Sequence, residues 1–182
     1  DRRQKSDLPT VALVGYTNAG KTTLFNLLTG ERAEASDALF VTLDPLLRKV
    51  RLPDQRELLV SDTVGFIDRL PHTLVAAFRG TLEEVRDADA LLHVIDASAE
   101  DRDRRVAAVR TVLKDVGAED VPCVDVYNKA DKLGTDERRR LAAACPDAAI
   151  VSALRAHGRR ELLDRLVAVL GLDTSRVKLR CD

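Results

Sequence analysis

Gly15-Tyr16-Thr17-Asn18-Ala19-Gly20-Lys21-Thr22 stands directly after the apolar run Thr10 to Val14 and directly before a stretch of helical period, Thr22 to Leu28. The stretch fits G-x-x-x-x-G-K-[ST] in its required context, a buried strand, a tight loop and the first turn of a helix. Small residues let backbone N–H groups turn inward around phosphate oxygens, and the helix N-terminus adds positive potential. Lys21 can reach the β- and γ-phosphates of a nucleotide, and Thr22 offers a hydroxyl to Mg²⁺. Thr23 follows it in the same first turn. This loop decides the fold, because a phosphate loop of this kind opens a sheet of alternating strands and helices.

The rest of the chain keeps that alternation. Leu46 to Leu52 alternates apolar and charged residues, as an edge strand does, and Leu58 to Val60 reads as a short buried strand ending at Ser61-Asp62. Thr73 to Arg86 has helical period, with Leu74, Ala77, Phe78, Leu82 and Val85 on one face. Ala90 to Ile95 is a second buried strand, followed by a charged helix from Arg102 to Leu113 whose stripe is Val106, Val109, Val112 and Leu113. A strand from Pro122 to Tyr127, a short helix over Glu137 to Ala144, a strand at Ala149 to Val151 and a helix from Glu161 to Leu170 complete the series. The expected fold is α/β, a mostly parallel sheet of about six strands with one antiparallel edge strand and helices on both faces. The expected domain spans 9–171, after a linker remnant at 1–8 and before a tail at 172–182. In that tail Val177, Leu179 and Cys181 alternate with basic residues.

Three further segments follow strands and carry chemistry. Asp62-Thr63-Val64-Gly65 lets Asp62 hold a Mg²⁺-bound water and the Gly65 N–H meet a γ-phosphate. Asn128-Lys129-Ala130-Asp131 offers a carboxylate to the N1–H and N2–H₂ donors of guanine, a pair adenine lacks. If buried, that contact favours guanine by roughly 2–4 kcal/mol. Asn128 can donate to N7 and tie this loop to the phosphate loop, and the Lys129 stem can lie over the base. In Ser152-Ala153-Leu154, the Ala153 N–H can meet guanine O6. All four segments sit at carboxyl ends of expected strands, where open α/β sheets bind ligands. Between the first two lies Thr29 to Asp44, including Phe40, Val41, Thr42, Leu43 and Asp44. A loop of this length suits a switch in which Thr42 closes on Mg²⁺ and the γ-phosphate.

Composition limits the alternatives. With 29 Lys+Arg against 30 Asp+Glu, net charge −1, 3% aromatics and no Trp, the chain lacks a bulk-charge grip or a stacking platform for DNA or single strands. No apolar run approaches the ~18 residues of a membrane span, and there is no signal-peptide core. The three cysteines are far apart and odd in number, suiting a reduced, cytoplasmic protein without a zinc site. The chain contains no Met and starts at Asp1, which reads as a piece of a longer protein.

The phosphate loop, the segments Leu39 to Pro45 and Asp62 to Ile67, and the run from Leu70 to Phe78 continuing through Thr81 to Glu84 resemble the HflX family of translation-factor-type GTPases. The resemblance covers about Pro9 to Leu170. It implies GTP and GDP as ligands, Mg²⁺ as cofactor, and a role on the large ribosomal subunit in splitting or rescuing stalled ribosomes. Family members carry an N-terminal domain and helical linker before the GTPase domain. The expected catalytic group is Lys21, Thr42 and Gly65, with Thr22, Thr42 and Asp62 serving the metal.

Two positions depart from the family pattern. Asp125 interrupts an apolar strand, which an exposed end or edge would explain. Leu154 replaces a Lys, leaving packing as its expected role. Phe66 follows Gly65 where Ras-like GTPases carry a water-orienting Gln, and a phenyl ring cannot orient water. Turnover is then slow without an activator, from an intrinsic rate of roughly 10⁻⁴ per second that activators raise by about 10⁵. That factor is worth about 7 kcal/mol. Asn18 resembles the Asn that helps potassium-activated GTPases hold K⁺; the alternative is an Asn favoured by a tight loop. His72 is either a residue of the helix start or a switch element, His93 reads as structural, and His157 lies in a loop without metal partners. Two other functions stay open: a nucleotide-gated binding module with little hydrolysis, favoured by Phe66, and an ATP-using phosphotransferase, opposed by Asp131.

Overall fold

The computed structural model describes residues 8–30, 46–63, 65 and 79–172. Six strands form one sheet in the order β2-β3-β1-β4-β5-β6. They are β1 (Thr10–Gly15), β2 (Leu46–Arg51), β3 (Glu57–Asp62), β4 (Ala90–Asp96), β5 (Cys123–Asn128) and β6 (Ala149–Ile150). All neighbours pair in parallel except β2 and β3, which pair antiparallel. The expected sheet class and its single antiparallel edge are both present. Arg48, Lys49 and Arg51 charge that edge, and Lys49 and Arg51 reach Glu57 of β3. A charged edge strand discourages pairing with another chain.

Side chains alternate across β1. Val11 and Leu13 pack with Leu24, Phe25 and Leu28 of α1 (Lys21–Thr29) and with Leu162, Leu163 and Leu166 of α5 (Arg159–Val169). Ala12 and Val14 face the opposite side, against Leu82 and Val85 of α2 (Arg79–Asp87) and Val109, Val112 and Leu113 of α3 (Arg102–Asp115). Leu141 of α4 (Thr135–Ala144) closes a third cluster with Ile95 and Tyr127. The inner strands are therefore covered on both faces, which is why β4 reads as a nearly unbroken apolar run.

Element ends differ from the sequence expectation by one or two residues. Helix α4 begins at Thr135 rather than Glu137, because the Glu137 side chain accepts the Gly134 N–H at 2.9 Å and closes the first turn. Helix α3 runs two residues past Leu113, and Gly117, at φ 73°, then turns the chain so that the Ala118 N–H bonds the Leu113 carbonyl. The expected face residues Leu74, Ala77 and Phe78, and the tail residues Val177, Leu179 and Cys181, lie outside the described residues.

Asp125 requires a correction. It is the third residue of β5, neither a strand end nor on an edge strand. It pairs with β4 but lies before the two residues that β6 reaches, and its side chain is 27% exposed. The parallel register sets it beside His93, whose Nδ1 lies 3.0 Å from Asp125 Oδ1, and Arg110 donates to Oδ2 at 3.1 Å. Burial raises the carboxyl pKa, but the hydrogen bond and charge of His93 and those of Arg110 outweigh it and leave the pKa below the usual carboxylate value. His93, 2% exposed within an apolar strand, is satisfied by the same contact.

Candidate functional site

The chain runs from β1 toward β3 and later returns to β4 on the other side of β1. That reversal opens a crevice at the carboxyl end of β1. Gly15 ends β1 there, and a Cβ on it would lie 2.4 Å from the Val94 carbonyl oxygen, so only glycine lets β4 pass so close. The Tyr16 ring packs partly buried against the core on the α2–α3 side, 5.1 Å from the Arg105 guanidinium and 5.8 Å from that of Arg104, which ties the loop to α3. Asn18 takes a left-handed conformation at φ 61°, one that Asn tolerates better than most residues. Gly20, at φ 95°, is constrained twice, because a Cβ there would also fall 2.3 Å from Asn128 Nδ2.

Lys21 is the first residue of α1 and is 8% exposed. Burial of its ammonium pulls the pKa down to about 8 from the ordinary 10.5, although the Asp62 carboxylate pulls the other way. Asp62, 1% exposed at the end of β3, accepts the Thr22 hydroxyl at 3.0 Å. The next residue, Thr63, donates its hydroxyl to the Leu13 carbonyl and fixes the strand end against β1. Gly65 lies against the phosphate loop: a Cβ there would be 2.9 Å from Thr17 Cγ2 and 3.2 Å from Lys21 Nζ. The structure thus brings Lys21, Thr22, Asp62 and Gly65 together, as the sequence expects. Thr23 and Ala19 flank them, half-buried and buried. Phe40, Val41, Thr42, Leu43, Asp44, Val64, Phe66 and His72 lie outside the described residues.

The second half of the crevice is built by β5 and β6. Asn128 is buried at the end of β5, and its side-chain amide bridges two loops. Its Nδ2 donates to the Ala19 carbonyl at 3.1 Å, and its Oδ1 accepts the Ala153 N–H at 3.0 Å. The tie to the phosphate loop is the one the sequence suggests. The Ala153 N–H, expected to face a guanine O6, is already engaged by Asn128, so a base carbonyl would have to share or replace that bond. Lys129, left-handed at φ 62°, starts a 3₁₀ turn (Ala130–Lys132), and the Ala130 N–H bonds the Val151 carbonyl.

Asp131 is exposed, not buried, and its Oδ1 accepts the Ser152 hydroxyl at 2.5 Å. That hydroxyl, with lesser help from Arg155 and Lys132, holds the carboxyl below the usual carboxylate pKa. Ser152 in turn accepts the Arg155 N–H at 3.2 Å. Leu154 is 75% exposed, so the packing role expected for it is not seen. His157 closes the loop through paired backbone bonds with Ser152.

Sequence reasoning missed Asp96, the last residue of β4. Its Oδ1 accepts the Ser98 N–H at 2.9 Å and the Ser98 hydroxyl at 2.6 Å, and its Oδ2 accepts Lys129 Nζ at 2.8 Å. Burial raises its pKa, but hydrogen bonds from Lys129 and Ser98 outweigh that and lower it. The available signal was Asp96-Ala97-Ser98 at a strand end, a local turn former at the carboxyl edge of the sheet.

Thr22 and Asp62 supply hard oxygen donors side by side. That suits Mg²⁺, which is held by one or two protein oxygens together with phosphates and waters. The whole arrangement can grip a polyphosphate at one end and present an ordered carboxylate to a base at the other.

Comparison with known proteins agrees with this geometry. Residues 10–129 match the family described as 50S ribosome-binding GTPase. GTPase HflX of Caldanaerobacter subterraneus is 57% identical over 132 residues, covering 72% of this chain and 31% of the relative. GTPase HflX of Magnetococcus marinus is 49% identical over 172 residues, covering 93% and 40%. The chain therefore spans roughly a third of the length of these relatives. Among solved structures, a GTP-binding protein from the archaeon Sulfolobus solfataricus in complex with GDP superposes with a TM-score of 0.68 at 30% identity, over 90% of this chain and 53% of that one. With its phosphate loop, its Asp62–Gly65 segment and its Asn128–Asp131 loop gathered at one crevice, the chain belongs to the family of 50S ribosome-binding GTPases, with the HflX proteins as its relatives.

Proposed function

We propose that this chain is a GTP-binding and GTP-hydrolysing switch of the cytoplasm that works with the large ribosomal subunit. The observation that carries the guanine reading is the Asp131 carboxylate, oriented by Ser152 beside a loop that Asn128 fastens to the phosphate loop. A nucleotide lies with its phosphates over the N-terminus of α1, where backbone N–H groups and Lys21 receive their charge. Thr22, with Asp62 acting through a bound water, would hold Mg²⁺, which would supply neutralisation of the phosphate charge. Lys21 stabilises the charge that develops as the terminal bond loosens, and the Gly65 N–H follows the γ-phosphate. Thr42, within the Phe40 to Asp44 segment, closes over the phosphates and releases after hydrolysis.

A phenyl ring at Phe66 cannot orient the attacking water, so turnover is slow until an activator supplies the missing transition-state stabilisation. The 50S subunit, which the family description names as bound, is the activator in this reading, and K⁺ held by Asn18 is a second source of charge. A binding module with incidental hydrolysis is the competing reading, and Phe66 favours it. Two measurements test the proposal. Exchanging Asp131→Asn is expected to weaken GDP by roughly ten- to a hundredfold and to improve xanthosine diphosphate, since loss of hydrogen bonds to a charged group costs about 1.5–3 kcal/mol. Turnover is expected to rise on adding large subunits and to fall when Na⁺ replaces K⁺. Equal turnover with and without subunits leaves the binding-module reading in possession.

A further inference from the structure

The parallel register pairs Asp96 with Asn128, which sets the Asp96 carboxylate beside the loop that reads the base. The Ala97 N–H bonds the Asn128 carbonyl at 2.9 Å and locks this alignment. Lys129 then reaches back across the crevice, and its ammonium has two acceptors, Asp96 Oδ2 at 2.8 Å and the Asn18 carbonyl of the phosphate loop at 2.7 Å. Asp96 is itself held by Ser98 through two hydrogen bonds, so the carboxylate is a fixed post rather than a second mobile group. The pair is largely withdrawn from water, with Asp96 at 12% and Lys129 at 26% side-chain exposure.

We propose that Asp96 is a positioning residue: it pins the Lys129 ammonium between the base-reading loop and Asn18, and so sets how long a guanine nucleotide stays bound. A lysine stem with four rotatable bonds does not hold one geometry unaided. Lys129 also starts from a left-handed backbone, which is unfavourable for a residue with a Cβ. With the carboxylate in place, the ammonium clamps the rim of the phosphate loop to the base-reading loop, and the two must part for the nucleotide to leave. Without its charge, the Lys129–Asn18 contact competes with water and the rim opens more often.

The inference rests on the guanine-nucleotide reading above, and the test separates the two. Asp96→Asn keeps an oxygen for the Ser98 N–H and preserves the turn, but removes the charge facing Lys129. Release of a fluorescent GDP analogue from the 182-residue chain with Mg²⁺ present is the readout, alongside the melting temperature of the unliganded chain. D96N is expected to speed release about tenfold, the size of one charge-assisted hydrogen bond, while melting falls by only a few degrees and the chain stays folded. D96E, which keeps the charge, is expected to recover most of the loss. Combining D96N with Lys129→Met is expected to speed release no more than K129M alone. A D96N chain that releases GDP at the wild-type rate, or a double variant whose effects multiply, overturns the proposal. So does failure of both D96N and D96E to fold, which would make Asp96 a structural turn residue. A wild-type chain that never retains GDP overturns the guanine reading itself and this inference with it.

Discussion

The two ends of the crevice are built on opposite electrostatic principles. At the base-reading end, donors and acceptors are matched within the protein: Asn128 with Ala19 and Ala153, Lys129 with Asp96 and Asn18, Asp131 with Ser152. At the phosphate end, Lys21 is buried at the start of a helix, where its own charge opposes the positive end of the helix dipole. Its pKa falls to about 8, so keeping the ammonium charged costs the free chain on the order of 3 kcal/mol. The sign follows from linkage. Below about pH 8 that cost is present in full, and between there and the ordinary 10.5 the folded chain gains stability as pH rises, because the unfolded chain alone binds the proton. One end is organised before the ligand arrives; the other holds an unmet demand for an anion.

Substitutions at the two ends should therefore separate binding from stability. The largest effect is expected from the contrast of Lys21→Met with Asn128→Ala. K21M should weaken GDP by about a hundredfold or more, yet leave the melting temperature of the free chain unchanged or raised, because a buried charge is removed. N128A should lower both, costing roughly 1–3 kcal/mol of folding stability through the unsatisfied Ala19 carbonyl and Ala153 N–H. Denaturant unfolding and GDP titration of the two variants check this, and K21M destabilised as much as N128A would erase the distinction. A smaller effect is expected at Asp131, where Ser152→Ala removes one orienting hydroxyl from an exposed carboxylate. GDP affinity should fall about threefold, as calorimetric titration would register, with a stability loss of about 1 kcal/mol because the Arg155 N–H also loses its acceptor.

These differences also explain what the sequence could convey. The phosphate loop is contiguous, so Gly15 to Thr22 and the strand before it are legible as one motif, and the apolar run of β4 announces a strand buried on both faces. What pairs across strands is not written locally. Asp96 meets Lys129, and His93 meets Asp125, only because β4 and β5 align in one parallel register. Asp125 accordingly reads as an anomaly in its own strand, while its partners lie 32 and 15 residues before it. The Ala153 N–H reads as free for a base because nothing in Ser152-Ala153-Leu154 reveals that the Asn128 amide oxygen lies 3.0 Å away. Helix ends moved by a residue or two where Gly134 and Gly117 made bonds that propensity alone does not specify.

The central claim is that a nucleotide's phosphates satisfy the buried Lys21 ammonium, and proton uptake on binding tests it most directly. Heats of GDP binding, measured at about pH 9 in two buffers of different ionisation enthalpy, give the number of protons exchanged. The depressed Lys21 predicts uptake of close to one proton there, falling to near zero at about pH 6.5 and vanishing in K21M. Binding at about pH 9 with no proton uptake would mean that the phosphates do not change the protonation of Lys21, and would contradict the account.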